Sequence, residues 1–158
     1  MSANVEVILP SDTAVEVRRL FATSRQLLFD CHTQPALVRR WLLGPPGWAM
    51  IECEIDLRPG GRYRYVWRSE TLGRQFGVEG EYIEVTAPER LVNVERMEGQ
   101  AGEARVVTRF IDQGETTLLS VLIDYGSKDI RDAAVASGMT GGMGQSYDRL
   151  EAQILSPG

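Results

Sequence analysis

The chain is poor in the side chains that most often carry chemistry. Among its 158 residues there is one histidine, His32, and there are two cysteines, Cys31 and Cys53. One imidazole excludes a histidine-built metal centre, and two cysteines without metal-ligand spacing exclude a zinc module or a disulfide framework. Lysine is nearly missing too, with Lys128 the only one among 17 basic residues. The Gly60-Gly61 and Gly141-Gly142 pairs lack the lysine and the spacing of a phosphate-cradling loop. An excess of positive charge is absent, the net charge being −5, which argues against nucleic acid as a partner. No apolar run approaches about 18 residues and no charged-then-apolar leader opens the chain, so membrane insertion is not expected. The expectation is a cytoplasmic protein with reduced thiols, needing neither metal nor cofactor.

What is present is a strand-rich pattern closed by one long helix. The stretch 137–155 places Met139, Met143, Tyr147, Leu150 and Ile154 at spacings of four, four, three and four, one stripe of a helix. Gly141, Gly142 and Gly144 interrupt the same stretch, each costing roughly 1 kcal/mol against alanine in a helix interior. Such a helix is held by tertiary packing, or lets something approach its backbone closely. Because the glycines sit in its N-terminal half, that half is where a cavity would open.

Ahead of it the chain alternates between strands and turns. Residues 1–13 contain Pro10 and little pattern, and read as an arm or an extra edge segment; residues 14–156 read as a single domain. A first strand is expected over 14–22. A capping box of Thr23 with Gln26 then opens a helix through Cys31, and Pro35 starts a second short helix that Gly44-Pro45-Pro46-Gly47 ends. Six strands follow as a meander, with turns at Arg58-Pro59-Gly60-Gly61, near 70–73, at Pro88-Glu89 and at Gln113-Gly114. Residues 62–68 alternate most clearly, Tyr63, Tyr65 and Trp67 on one face and Arg62, Arg64 and Arg68 on the other. Ser127 caps a further helix that Gly138 separates from the last one. The class is α+β, in the order strand, two short helices, six strands, helix. A curved antiparallel sheet wrapped around the terminal helix buries the apolar face of each.

Several of these segments, in this order, resemble the family of proteins related to the activator of Hsp90 ATPase. The segments are Leu28-Phe29-Asp30, Thr33-Gln34-Pro35 with Trp41, and Gly44-Pro45-Pro46-Gly47. Further along come the run from Asp56 to Tyr63, Gly80-Glu81-Tyr82, Pro88-Glu89-Arg90-Leu91, Gly138-Met139 and Tyr147-Asp148-Arg149-Leu150. The resemblance implies the helix-grip fold of the START-like, or Bet v 1-like, superfamily, often with a cavity between sheet and helix. That superfamily holds binders of small hydrophobic molecules, cyclases and co-chaperone domains, and fold alone does not choose among them.

The residues supply no catalytic set. His32 falls at the end of a short helix, where it caps or meets solvent, and both cysteines suit core positions. Asp56 suits a role in its turn, Glu52 with Glu54 and Glu79 with Glu81 suit a solvated sheet face, and no inward carboxylate stands out. The stronger signal is aromatic. Trp41 and Trp48 flank the helix–sheet junction, and Tyr63, Tyr65, Trp67, Phe76 and Tyr82 occupy inward strand positions. With Met139, Met143 and Tyr147 opposite, they line a deformable apolar cavity or fill a solid core. The leading expectation is binding of a small hydrophobic or aromatic molecule, with Arg64 or Arg109 as anchors only if a bulge turns them inward. A protein-interaction module for a chaperone and a cavity enzyme of cyclase or hydratase type are the alternatives, and a homodimer stays open.

Overall fold

The computed structural model describes residues 5–155. Eight antiparallel strands form one sheet, and four helices cover one of its faces. Strand β1 (Glu6–Ile8) lies at one edge, paired with β2 (Ala14–Phe21), so this part of the expected arm is an edge segment. Helices α1 (Arg25–Thr33) and α2 (Pro35–Trp41) come next. The meander follows as β3 (Trp48–Ile55), β4 (Arg62–Ser69), β5 (Arg74–Thr86), β6 (Arg90–Met97), β7 (Ala104–Asp112) and β8 (Thr117–Asp124). Helices α3 (Lys128–Ala136) and α4 (Met139–Leu150) close the chain, and a wider π-helical turn, Glu151–Leu155, extends α4. The strand order β1-β2-β8-β7-β6-β5-β4-β3 departs from sequence order only where β2 joins β8.

Register shifts in β3 between Met50 and Glu52 and in β5 between Tyr82 and Glu84 are bulges, which bend a sheet and raise its twist. The result is the helix-grip arrangement, a curved sheet closed on the terminal helix. As expected, Gly138 separates the last two helices: at φ +88° it parts α3 from α4 as glycine can at little steric cost, and the helical run then continues to Leu155.

Two details of the helices correct the sequence reading. The cap of α1 is Ser24, whose hydroxyl accepts from the Leu27 backbone N–H at 3.2 Å, and not Thr23 in a box with Gln26. His32 neither caps nor faces solvent. Its position four residues after the fully buried Leu28 turns the ring inward, between Trp41 (5.0 Å between centroids) and Phe110 (5.2 Å).

The C-terminal half of α4 is gripped by packing and by charge. Leu150 is fully buried, and Tyr147 stacks on Trp41 and meets Phe21 edge-on. From β2, Arg19 points to the same side as Val15, Val17 and Phe21. It reaches Asp148 at 2.8 Å, Glu151 at 3.1 Å and the Gly144 carbonyl at 3.4 Å, with only 4% of its side chain exposed. A second buried arginine, Arg131 of α3, donates to the carbonyls of Ser11 and Ala14 and so ties that helix to the start of β2.

Candidate functional site

Two adjacent pockets, an outer and an inner lobe, lie on the inner face of the sheet; their linings share His32, Trp41, Leu42 and Thr108, and α4 walls the outer one. The outer lobe, about 450 Å³, is walled by Trp41, Trp67, Phe76, Met139, Met143 and Tyr147. Its rim carries the exposed residues Pro45, Gly142 and Gln145. The inner lobe, about 150 Å³, is bounded by Tyr63, Tyr65 and Tyr82 and by Asn93 and Glu95. Volumes of this order belong to small-molecule sites.

Glycines make part of this room. A Cβ on Gly142 meets no atom within 4 Å, so α4 passes the outer lobe as bare backbone. On the sheet, Glu95 is flanked in register by Gly80 on one side and Ala104 on the other. A Cβ at Gly80 would lie 1.8 Å from the Val94 carbonyl oxygen and 2.8 Å from the Tyr63 hydroxyl. Only glycine therefore lets Tyr63 fold across β5 to donate to Val94 at 2.7 Å, while Asn93 donates to the same hydroxyl at 2.8 Å. Small neighbours beside Glu95 leave the carboxylate facing open space.

The ten aromatic and methionine positions expected at the site distribute as follows. Trp41, Trp67, Phe76, Met139, Met143 and Tyr147 border the outer lobe, and Tyr63, Tyr65, Tyr82 and again Trp41 the inner one. Trp48 lies outside both linings and packs edge-on against Phe76 at 5.2 Å. The indole N–H groups are not free handles, since Trp41 donates to the Cys31 carbonyl and Trp67 to that of Leu42. Arg64 and Arg109 stay on the other face of the sheet, where Arg64 binds Glu52 and Glu98, because neither bulge falls in β4 or β7.

Two polar groups in the cavity escaped the sequence reading. His32 Nδ1 lies 2.8 Å from the Leu28 carbonyl, which can only accept. Nδ1 therefore carries the proton, and Nε2 is a bare acceptor, buried and without a partner among the described residues. Burial pushes this imidazole down to about 4, and the Leu28 bond offsets only part of that, so the ring is neutral near pH 7. The second group is Glu95, whose carboxyl burial raises above its ordinary value. The same desolvation pushes Tyr82 of the inner lobe up to about 12, and likewise Tyr125, which lies outside both linings. Burial also pushes the Cys31 thiol up to about 11 and raises that of Cys53, which leaves both as poor nucleophiles.

Among the described residues no group of three His, Cys, Asp or Glu side chains could hold a metal ion, and no helix is long and apolar enough to cross a membrane. Chemically the cavity can enclose an apolar body and meet its polar end with one imidazole, one carboxyl group and several phenols.

Comparison with known proteins places this architecture. Residues 22–154 match the family described as activator of Hsp90 ATPase homolog 1-like protein. A crystal structure of a protein from Rhodobacter sphaeroides is 32% identical, with 97% of this chain and 99% of that one covered and a TM-score of 0.91. The AHSA1-like protein of Aeromonas hydrophila is 19% identical over 90% of this chain and 96% of its own, with a TM-score of 0.72. An HSP90 activator from Plasmodium falciparum is 18% identical over 88% and 94%, with a TM-score of 0.63, a likeness of fold. No curated protein matches the sequence at a significant level.

Proposed function

From a chain that belongs to the family of activator of Hsp90 ATPase homolog 1-like proteins, we propose that its own activity is to bind a small, largely apolar molecule in the two-lobed cavity. The observation that carries this reading is an apolar lobe of about 450 Å³ beside a smaller polar one, with four lining residues in common. A chain selected only for stability would fill such a space, because cavities cost stability in proportion to their volume. A ligand gains affinity from the apolar wall and orientation from the few polar groups.

Thermal unfolding with a panel of lipids, polyketides and aromatic metabolites tests the reading. A compound at 100 times its dissociation constant adds about 2.7 kcal/mol to the stability of the folded state. Gly142→Leu places a side chain over the outer lobe. It is expected to leave the melting temperature unchanged or slightly higher, since leucine is the better helix former, while affinity for any panel hit falls at least tenfold. Equal losses of folding and binding would show that Gly142 serves packing and not access.

The co-chaperone reading draws on the family and on the shared fold of the Plasmodium activator. It expects little internal cavity, and a pull-down with purified Hsp90 followed by an ATPase assay decides it. The reading as a cavity enzyme required an inward carboxylate or histidine beside an aromatic ring. Glu95 and His32 meet that condition, which keeps this lower alternative open. Turnover of a bound compound that disappears in His32→Gln would raise it to the first.

A further inference from the structure

Accepting the cavity reading, we propose that the inner lobe receives an amine, so that the ligand is a hydrophobic amine and not a fatty or aromatic acid. The argument is an inventory of the polar atoms a ligand would meet. Neither lobe is lined by an arginine or a lysine. Two arginines lie nearby: Arg19 is engaged with Asp148 and Glu151, while Arg149 of α4 donates Nη2 to the Gly44 carbonyl and has its Nη1 buried without a partner among the described residues. No cationic side chain therefore faces the inner lobe, and the free Nη1 of Arg149 lies on the side of the outer lobe, whose lining includes Gly44. Several neutral donors are already spent, with both indole N–H groups on backbone carbonyls and the Tyr63 hydroxyl on Val94.

The inner lobe adds acceptor capacity. His32 Nε2 presents a lone pair, and the Glu95 carboxyl has no hydrogen-bond partner among the described residues. The Tyr65 and Tyr82 hydroxyls can act either way. A buried acceptor without a partner, as His32 Nε2 is, is costly, and a ligand N–H donor relieves that cost.

The ring faces add to the same preference. Tyr63 stands 5.4 Å from Tyr65 and 5.3 Å from Tyr82 between ring centroids, so three phenol rings and Trp41 surround the space in front of Glu95. Aromatic faces attract a cation within about 6 Å of the centroid, and more so where water is excluded. A carboxylate beside such faces completes a site for an ammonium group. At about 150 Å³ the inner lobe holds roughly five waters at ~30 Å³ each, which suits an ammonium with a short methylene stem. The rest of the molecule then lies in the outer lobe against Trp67, Phe76 and the two methionines. A carboxylic acid entering the same way would set its charge beside Glu95 and the bare nitrogen of His32.

Decylamine, 1-decanol and decanoic acid share one apolar body and differ only at the head, and calorimetric titration at pH 7 ranks them on the wild-type chain. The amine is expected to bind at least tenfold more tightly than the alcohol, with the acid weakest. In Glu95→Gln, which keeps the shape of the side chain, amine affinity falls tenfold or more while the alcohol stays within twofold. Alcohol or acid binding as tight as the amine, or an amine preference that survives Glu95→Gln, overturns the head-group assignment and leaves cavity binding standing. Failure of all three to bind overturns both. The wild-type ranking requires no variant to fold, so the assignment is testable even if Glu95→Gln proves unstable.

Discussion

Glu95 and Arg96 are consecutive residues of β6 that serve opposite faces of the sheet. Arg96 lies on the outer face and is met by three carboxylates, Glu79 at 3.2 Å, Glu81 at 2.6 Å and Glu103 at 3.0 Å. Arg64 repeats the pattern one strand pair away with Glu52 and Glu98. On the inner face Glu95 has no partner among the described residues, and burial raises its carboxyl. The outer face pairs its charges where water already screens them, which adds little stability. The inner face leaves a half-buried carboxyl unpaired, and the partial loss of water there disfavours its charged form. An arrangement that spends stability in this way is what a binding site looks like, and the outer lattice looks like a solvated surface.

If that contrast is real, titratable groups on the inner face should dominate the pH dependence of stability. His32 is the strongest case. Its folded value is depressed to about 4 from an ordinary 6.5, so the unfolded chain binds the proton more readily. Its contribution is present above pH 6.5 and is lost as pH falls towards 4, by roughly 3 kcal/mol at most. Glu95, raised by burial, works in the opposite sense, because protonation favours its folded form. Denaturant unfolding of wild type and His32→Gln between pH 7 and 4 isolates the histidine, since Glu95 is common to both. The difference between the two should change by up to ~3 kcal/mol across that window. A constant difference would mean that the imidazole is solvated.

Arg19 supplies the next effect, and shows that the inner face does pair a charge when the purpose is structural. Its guanidinium holds Asp148, Glu151 and the Gly144 carbonyl and lies 5.2 Å from the Phe21 ring. Asp148 and Glu151 keep about 40% of their side chains exposed, so water takes over part of the bond when Arg19 is removed. Arg19→Ala is expected to cost about 2 kcal/mol, below the 3–5 of a fully buried pair. Hydrogen exchange should locate the loss in α4 and the turn after it. Exchange unchanged in α4 would reassign the grip on that helix to Leu150 and Tyr147 alone.

The sequence made the scaffold legible and hid the polar half of the site. Turn chemistry at Arg58-Pro59-Gly60-Gly61 and the alternation of residues 62–68 set strand identity and face, and the inward aromatics followed from them. Glu95 was hidden because β6 alternates against its own hydrophobicity. Val92 and Val94 share the outer parity, while Asn93 and Glu95 share the inner one with Leu91. Parity could have been carried across from Tyr63 through Gly80, but only with the strand register in hand. His32 had a readable signal, since Leu28 precedes it by four residues on the same helix face. Arg19 had one as well, alternating with Val15, Val17 and Phe21. In both cases the polar side chain was read by its type instead of by its position.

The smallest effects separate the two faces most directly. Glu95→Leu replaces an unpaired, half-buried acid with an apolar side chain in an aromatic lobe, which removes a desolvation cost and adds buried apolar surface. The unliganded chain should become more stable by about 1 kcal/mol at pH 7, and amine binding should be lost. Arg96→Leu, one residue along, removes a charge that three carboxylates share in solvent. Stability should move little there, ligand affinity should not change, and any loss should vanish as salt screens the carboxylates left behind. Paired denaturation curves at low and high salt measure both. A stabilising, salt-insensitive Glu95→Leu beside a nearly silent Arg96→Leu is the signature of a site on one face and a surface on the other. Two equal, salt-dependent losses would instead place Glu95 in the same screened lattice as its neighbour, and the inner lobe would then have no claim on a charged ligand.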